Sequence, residues 1–109
     1  MKIFNILRKN LTQLHLSKKS KVVNEDIEKA FKKNLILNSY DIVFFDPPFA
    51  NDQYKIIFKF FQKNRILNNN NLVIIHRENK TNENLGDFVK IYSERIFGRS
   101  KILYCTLLF

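Results

Sequence analysis

Residues 46–49 read Asp-Pro-Pro-Phe, at the end of the apolar run Tyr-Asp-Ile-Val-Phe-Phe at 40–45. Pro47 and Pro48 are the only prolines in the chain. Each fixes φ near −65° and removes a backbone donor. Pro47 also pushes Asp46 away from helical geometry. The Pro47 carbonyl is therefore held beside the Asp46 carboxylate, and both are acceptors. Two acceptors on a rigid turn suit an exocyclic NH2 group, each taking one N–H. Phe49 offers a ring face on which a base can stack.

Such an arrangement favours amine methylation. A nucleobase amine delocalises its lone pair into the ring. Holding both N–H bonds directs that lone pair toward an incoming methyl group, and Asp46 stabilises the charge that develops on nitrogen. A base buried in a duplex would have to be flipped out to reach the site. The plainer alternative is that Asp-Pro-Pro only stops a strand. The strand context before it and the aromatic after it favour the chemical reading.

The elements around this motif are legible in outline. Ile3, Leu7, Leu11 and Leu14 recur at helical spacing, which predicts an amphipathic helix over 2–16. Lys-Val-Val-Asn at 21–24 predicts a short strand. Asp26 is placed to cap a helix carrying Ile27, Ala30 and Phe31. The run at 40–46 predicts a parallel strand buried on both faces. Tyr54, Ile57, Phe58 and Phe61 predict another helix, and 71–76 a second buried strand. Asn68–Asn71 reads as a polar turn, and 78–86 as a polar loop. Residues 87–97 and 101–109, joined through Gly98, Arg99 and Ser100, read as a closing β-hairpin. The order describes one α/β layered domain over residues 1–109.

Composition bounds the function. Nineteen basic against ten acidic residues give +9, which favours a polyanionic partner, most plausibly nucleic acid. An A/T-rich coding sequence is the bland source of the same lysines. Arg8, Lys9, Lys18, Lys19 and Lys21 form a cluster able to track phosphates, or a solvated basic face. The single Cys105 excludes an internal disulfide, fits a reducing cytoplasmic setting and reads as core packing. No membrane span or signal peptide is expected. No His, Cys and acid cluster has metal-ligand spacing, so no metal is expected. His15 reads as a helix-surface residue. His76, Arg77 and Glu78 end the second buried strand on the same sheet edge as Asp46, where they either shape the pocket or are simply solvated.

The run at 40–49 resembles the fourth motif of amino-directed S-adenosylmethionine-dependent methyltransferases. With Asn-Leu-Val-Ile-Ile-His-Arg-Glu at 71–78 and Ile-Phe-Gly-Arg-Ser-Lys-Ile-Leu-Tyr at 96–104, the chain is most similar to the RsmD family of small-subunit ribosomal RNA guanine-N2 methyltransferases. The resemblance implies a partial Rossmann-like methyltransferase fold, mostly parallel, with a C-terminal antiparallel hairpin. It implies Asp46, Pro47, Pro48 and Phe49 as the amine-binding residues. It also implies Asp26, within a stretch similar to the family's third motif, near the adenine of S-adenosylmethionine, with Asp46 bordering the same cofactor. Ribosomal RNA or the small-subunit particle is the implied partner.

The chain departs from the family at the start of the fold. Its two glycines, Gly86 and Gly98, both lie late, so it has no Gly-rich loop for the cofactor's amino-acid moiety. The expectation is a truncated domain that binds S-adenosylmethionine poorly alone. The run at 40–45 would then pair directly with 21–24, or meet a second chain, as a homo-oligomer or a missing N-terminal half. Adenine-N6 or protein-glutamine methylation is the alternative among enzymes. A non-catalytic remnant or RNA-binding subunit is the alternative outside them.

Overall fold

Helix α1 spans Lys2–Gln13, three residues shorter than the periodicity predicts. Its end is closed by a left-handed residue: His15 has φ 57°, Leu16 N–H donates to Leu11 O and His15 N–H to Thr12 O. This 6→1 and 5→2 pair satisfies the orphan carbonyls and turns the chain away. A 3-10 turn follows at Ser17–Lys19. Residues 21–24, expected as a strand, lie in irregular backbone. The short α2, Ile27–Lys32, begins as the sequence predicts: the Asp26 side chain accepts from Glu28 N–H at 2.9 Å. Asn34, at φ 56°, ends it with the same two-bond closure, Leu35 N–H to Ala30 O and Asn34 N–H to Phe31 O.

The structure, a computed structural model, describes residues 2–35, 39–46, 54–80 and 85–108. It divides the chain into two compact units, Met1–Ile36 and Leu37–Phe109. The second unit holds the sheet and the Asp46 motif. Strand β1 is Tyr40–Phe45, helix α3 Tyr54–Asn64, strand β2 Leu67–Glu78, β3 Val89–Phe97 and β4 Ser100–Leu107. The strand order is β1-β2-β4-β3. β1 and β2 run parallel, joined through α3. β2–β4 and β4–β3 are antiparallel. The fold is the partial Rossmann-like α/β sheet expected, with one parallel pair and the C-terminal antiparallel hairpin turning at Gly98, whose φ of +58° a side chain would disfavour.

Two expectations for the strands are corrected. Asn68–Asn71 is not a turn but the start of β2. The extra residues are absorbed by an irregularity: Tyr40 pairs with Leu67, yet Ile42 pairs with Leu72. Asn71, which is buried, stitches this segment down. Its side chain accepts from Leu107 N–H and donates to Asn68 O, both at 2.8 Å. Asn71→Ala leaves both groups unpaired, and a loss of about 1–3 kcal/mol is expected, read as a lower urea midpoint at unchanged slope.

The second correction concerns β1, which is not buried on both faces. Val43 and Phe45 turn toward the core, whereas Ile42 and Phe44 are 62% and 61% exposed. The physical reason is the layering. Only one face of the sheet receives α3, through Phe58, whose ring lies 5.3 Å from Phe45 and 5.9 Å from Phe88. Residues 21–24 form no strand, and β1 is an edge strand of the described sheet.

Ile57, Phe58 and Phe61 of α3, Val73 and Ile75 of β2, and Leu103, Cys105 and Leu107 of β4 are all buried. Gln62 ties the helix to the last strand, donating to Leu108 O at 2.8 Å. Cys105 is fully buried, and desolvation pushes its thiol up to about 11. The thiolate is the reactive form. At neutral pH the native protein is therefore expected to resist alkylation by iodoacetamide, with full labelling only in denaturant.

Candidate functional site

Asp46 follows the last residue of β1, at the carboxyl end of the parallel pair. Along that pair Val43 meets Val73, Phe44 meets Ile74 and Phe45 meets Ile75. The next residue on each strand is polar: Asp46 on one, His76 on the other. Their side chains meet, with His76 Nδ1 2.9 Å from Asp46 Oδ1. The carboxylate is about half exposed and the imidazole about a quarter. The acid is thus reachable by a ligand and braced from the neighbouring strand.

Residues on β2 alternate between faces. His76 and Glu78 share the side of Asp46, whereas Arg77 points to the core face and is 4% exposed. Arg77 is therefore not the solvated strand end that the sequence allowed. Beyond Glu78 lies a cavity of about 350 Å³ lined by Glu78, Asn79, Lys80, Gly98 and Arg99. The Asn79 N–H donates to Arg99 O at 2.6 Å, joining the end of β2 to the hairpin turn. Lys80 and Arg99 are exposed. An acid, a histidine and two cations thus gather at one end of the sheet.

Pro47, Pro48 and Phe49, expected to hold the amine with Asp46, lie outside the described residues. Asp26 belongs to the other unit. One oxygen of its carboxylate caps α2, which gives the residue a structural role. Beside it, Glu25 pairs with Lys33 at 2.6 Å, and this hydrogen bond holds the Glu25 carboxyl below its ordinary range. In the basic cluster of that unit, Lys21 donates to Leu35 O at 3.0 Å, and Arg8 stacks over the Phe4 ring. Arg8 also lines a separate cavity of about 360 Å³ with Phe4, Leu11, Thr12, Ser17, Ser20 and Val22. Among the described residues, no group of His, Cys, Asp and Glu could hold a metal ion, and no helix is long and apolar enough to cross a membrane.

The partnership of Asp46 with His76 was open to sequence reasoning. Val-Phe-Phe-Asp and Val-Ile-Ile-His are parallel apolar runs with a polar last residue. Aligning them gives the observed register.

Comparisons with known proteins agree with this architecture. Residues 1–106 match the family described as Conserved hypothetical protein 95. The "Uncharacterized methylase" of Rickettsia prowazekii (strain Madrid E) is 29% identical over 70 residues, covering 64% of this chain and 30% of that protein. A conserved hypothetical protein of Streptococcus pyogenes shares the fold with a TM-score of 0.80 at 19% identity, over 93% of this chain and 63% of that one. A "putative methylase" of Haemophilus influenzae does so with a TM-score of 0.73 at 23% identity, over 98% of this chain and 68% of its own. The chain therefore spans only part of each of these proteins. The chain belongs to the Conserved hypothetical protein 95 family, the RsmD-type methylases.

Proposed function

We propose that this chain supplies the acceptor-holding side of an S-adenosylmethionine-dependent methyltransferase that modifies the exocyclic N2 amine of guanine in small-subunit ribosomal RNA. The observation that carries this reading is a reachable carboxylate at the carboxyl end of a parallel strand, braced by His76. Ligands of open α/β sheets bind at such ends. In the proposed site, one N–H of the guanine amine donates to Asp46 and the other to the Pro47 carbonyl. Phe49 stacks on the base. As nitrogen gains positive charge, the fixed carboxylate stabilises it without reorganising. The +9 charge and the exposed Lys80 and Arg99 beside the site suit an RNA backbone.

Among the described residues, no complete cofactor cradle is assembled. Gly98 serves the hairpin turn, and one oxygen of the Asp26 carboxylate caps a helix. With no Gly-rich loop, the backbone cannot approach the amino-acid moiety closely. The methyl donor is accordingly assigned no step on this chain's residues. A second reading is an RNA-binding subunit without transfer activity, which the +9 charge also suits.

A fusion that places a family member's Gly-rich cofactor half ahead of this chain separates the two. The expected result is weak or undetectable S-adenosylmethionine binding by the chain alone in titration calorimetry. The fusion is expected to incorporate labelled methyl groups into small-subunit particles lacking the modification. A fusion that binds cofactor and particles yet transfers nothing would favour the second reading. Low-micromolar cofactor affinity of the chain alone would overturn the misfit.

A further inference from the structure

The geometry points to His76 as the positioning residue of the site: its Nδ1–H holds the Asp46 carboxylate in the orientation that receives the acceptor amine. This role rests on the reading of Asp46 as an amine acceptor.

An ionised carboxylate can only accept hydrogen bonds. A ring nitrogen 2.9 Å from Asp46 Oδ1 must therefore carry the proton. That fixes the imidazole as Nδ1–H when it is neutral. The bond engages one carboxylate oxygen and leaves the plane of the group set by the neighbouring strand. Without it, a half-exposed aspartate at a strand end would sample several rotamers. Pro47 constrains only the backbone of Asp46, so the side chain needs its own support.

The brace is itself well founded. Phe45 and Ile75, one residue before each partner, are paired in the sheet, and Ile75 is 1% exposed. On β4, the register partner of His76 is Ile102, which is uncharged. The other charged or titratable groups disposed toward the imidazole are Glu78 on its own strand, Tyr104 two residues along β4 from Ile102, and Arg95 on β3, the register partner of Ile102. Asp46 lies at hydrogen-bond distance from Nδ1.

Two measurements on the full chain test the role. Nitrogen-15 NMR reads the tautomer of neutral His76 directly. The wild-type chain is expected to show Nδ1–H, and Asp46→Ala to return the ring to Nε2–H, the form usual in water. An Nε2–H ring in the wild-type chain overturns the proposal. The second measurement compares binding of guanosine monophosphate with inosine monophosphate, which lacks only the exocyclic amine. A preference of about tenfold for the guanine nucleotide is expected, from one charge-assisted hydrogen bond. His76→Ala should erase most of that preference, and His76→Asn, which keeps a donor near the Nδ1 position, should restore it. A preference unchanged in His76→Ala overturns the positioning role while leaving Asp46 as the acceptor. An Nδ1–H ring with no preference in the wild-type chain overturns the amine reading of Asp46, and this role with it.

Discussion

Asp46→Ala is expected to lower methyl transfer by about 10²–10³-fold in a fusion carrying a cofactor-binding half, because it removes one preorganised partner of the charge that develops on the amine. The fold should be untouched. Asp46 lies beyond the last residue of β1, and its side chain is about half exposed. Cofactor affinity should change little. The loss should therefore fall on turnover in single-turnover kinetics with labelled cofactor. Asp46→Asn should retain more activity than Asp46→Ala, since its amide oxygen still accepts an N–H. Turnover within a few-fold of the parent in Asp46→Ala would reduce the two prolines to a strand stop.

Phe58→Ala is expected to remove about 3–5 kcal/mol of stability. Phe58 is fully buried and is the ring on which α3 meets the sheet, facing Phe45 at 5.3 Å, Phe88 at 5.9 Å and Phe61 at 6.5 Å. Truncation leaves a cavity bordered by β1, α3 and the residues before β3. A domain of this size holds only about 5–15 kcal/mol in total, so the variant should melt on the order of 15 °C lower. Thermal unfolding followed by circular dichroism measures this. A loss below about 1 kcal/mol would mean that α3 does not seat on the sheet as described.

The helix α3 and the closing hairpin were legible because their apolar spacing and their glycine turn act locally. Where local and tertiary forces diverged, the sequence misled. His15 ends α1 by adopting a left-handed conformation, which histidine visits more often than most residues but which the apolar spacing through Leu14 does not announce. Asn68–Asn71 has turn composition, yet Asn71 exchanges hydrogen bonds with the chain on both sides and is drawn into β2. The run at 40–45 has the composition of a strand covered on both faces, but α3 covers one face and Ile42 and Phe44 are left open. Lys-Val-Val-Asn has strand propensity yet lies in irregular backbone, and propensity alone does not make a strand. At the site, the acid could be read from its motif. The histidine could be read only from the parallel register that brings two strand ends together.

The claim at the centre of this account is that the acceptor is the exocyclic amine of guanine. Nucleoside analysis tests it most directly: labelled small-subunit RNA, methylated by the fusion, is digested and the modified nucleoside is identified by mass spectrometry. N2-methylguanosine is the expected product, lost together with the label in Asp46→Ala. Label recovered as N6-methyladenosine, or in protein rather than RNA, would contradict it.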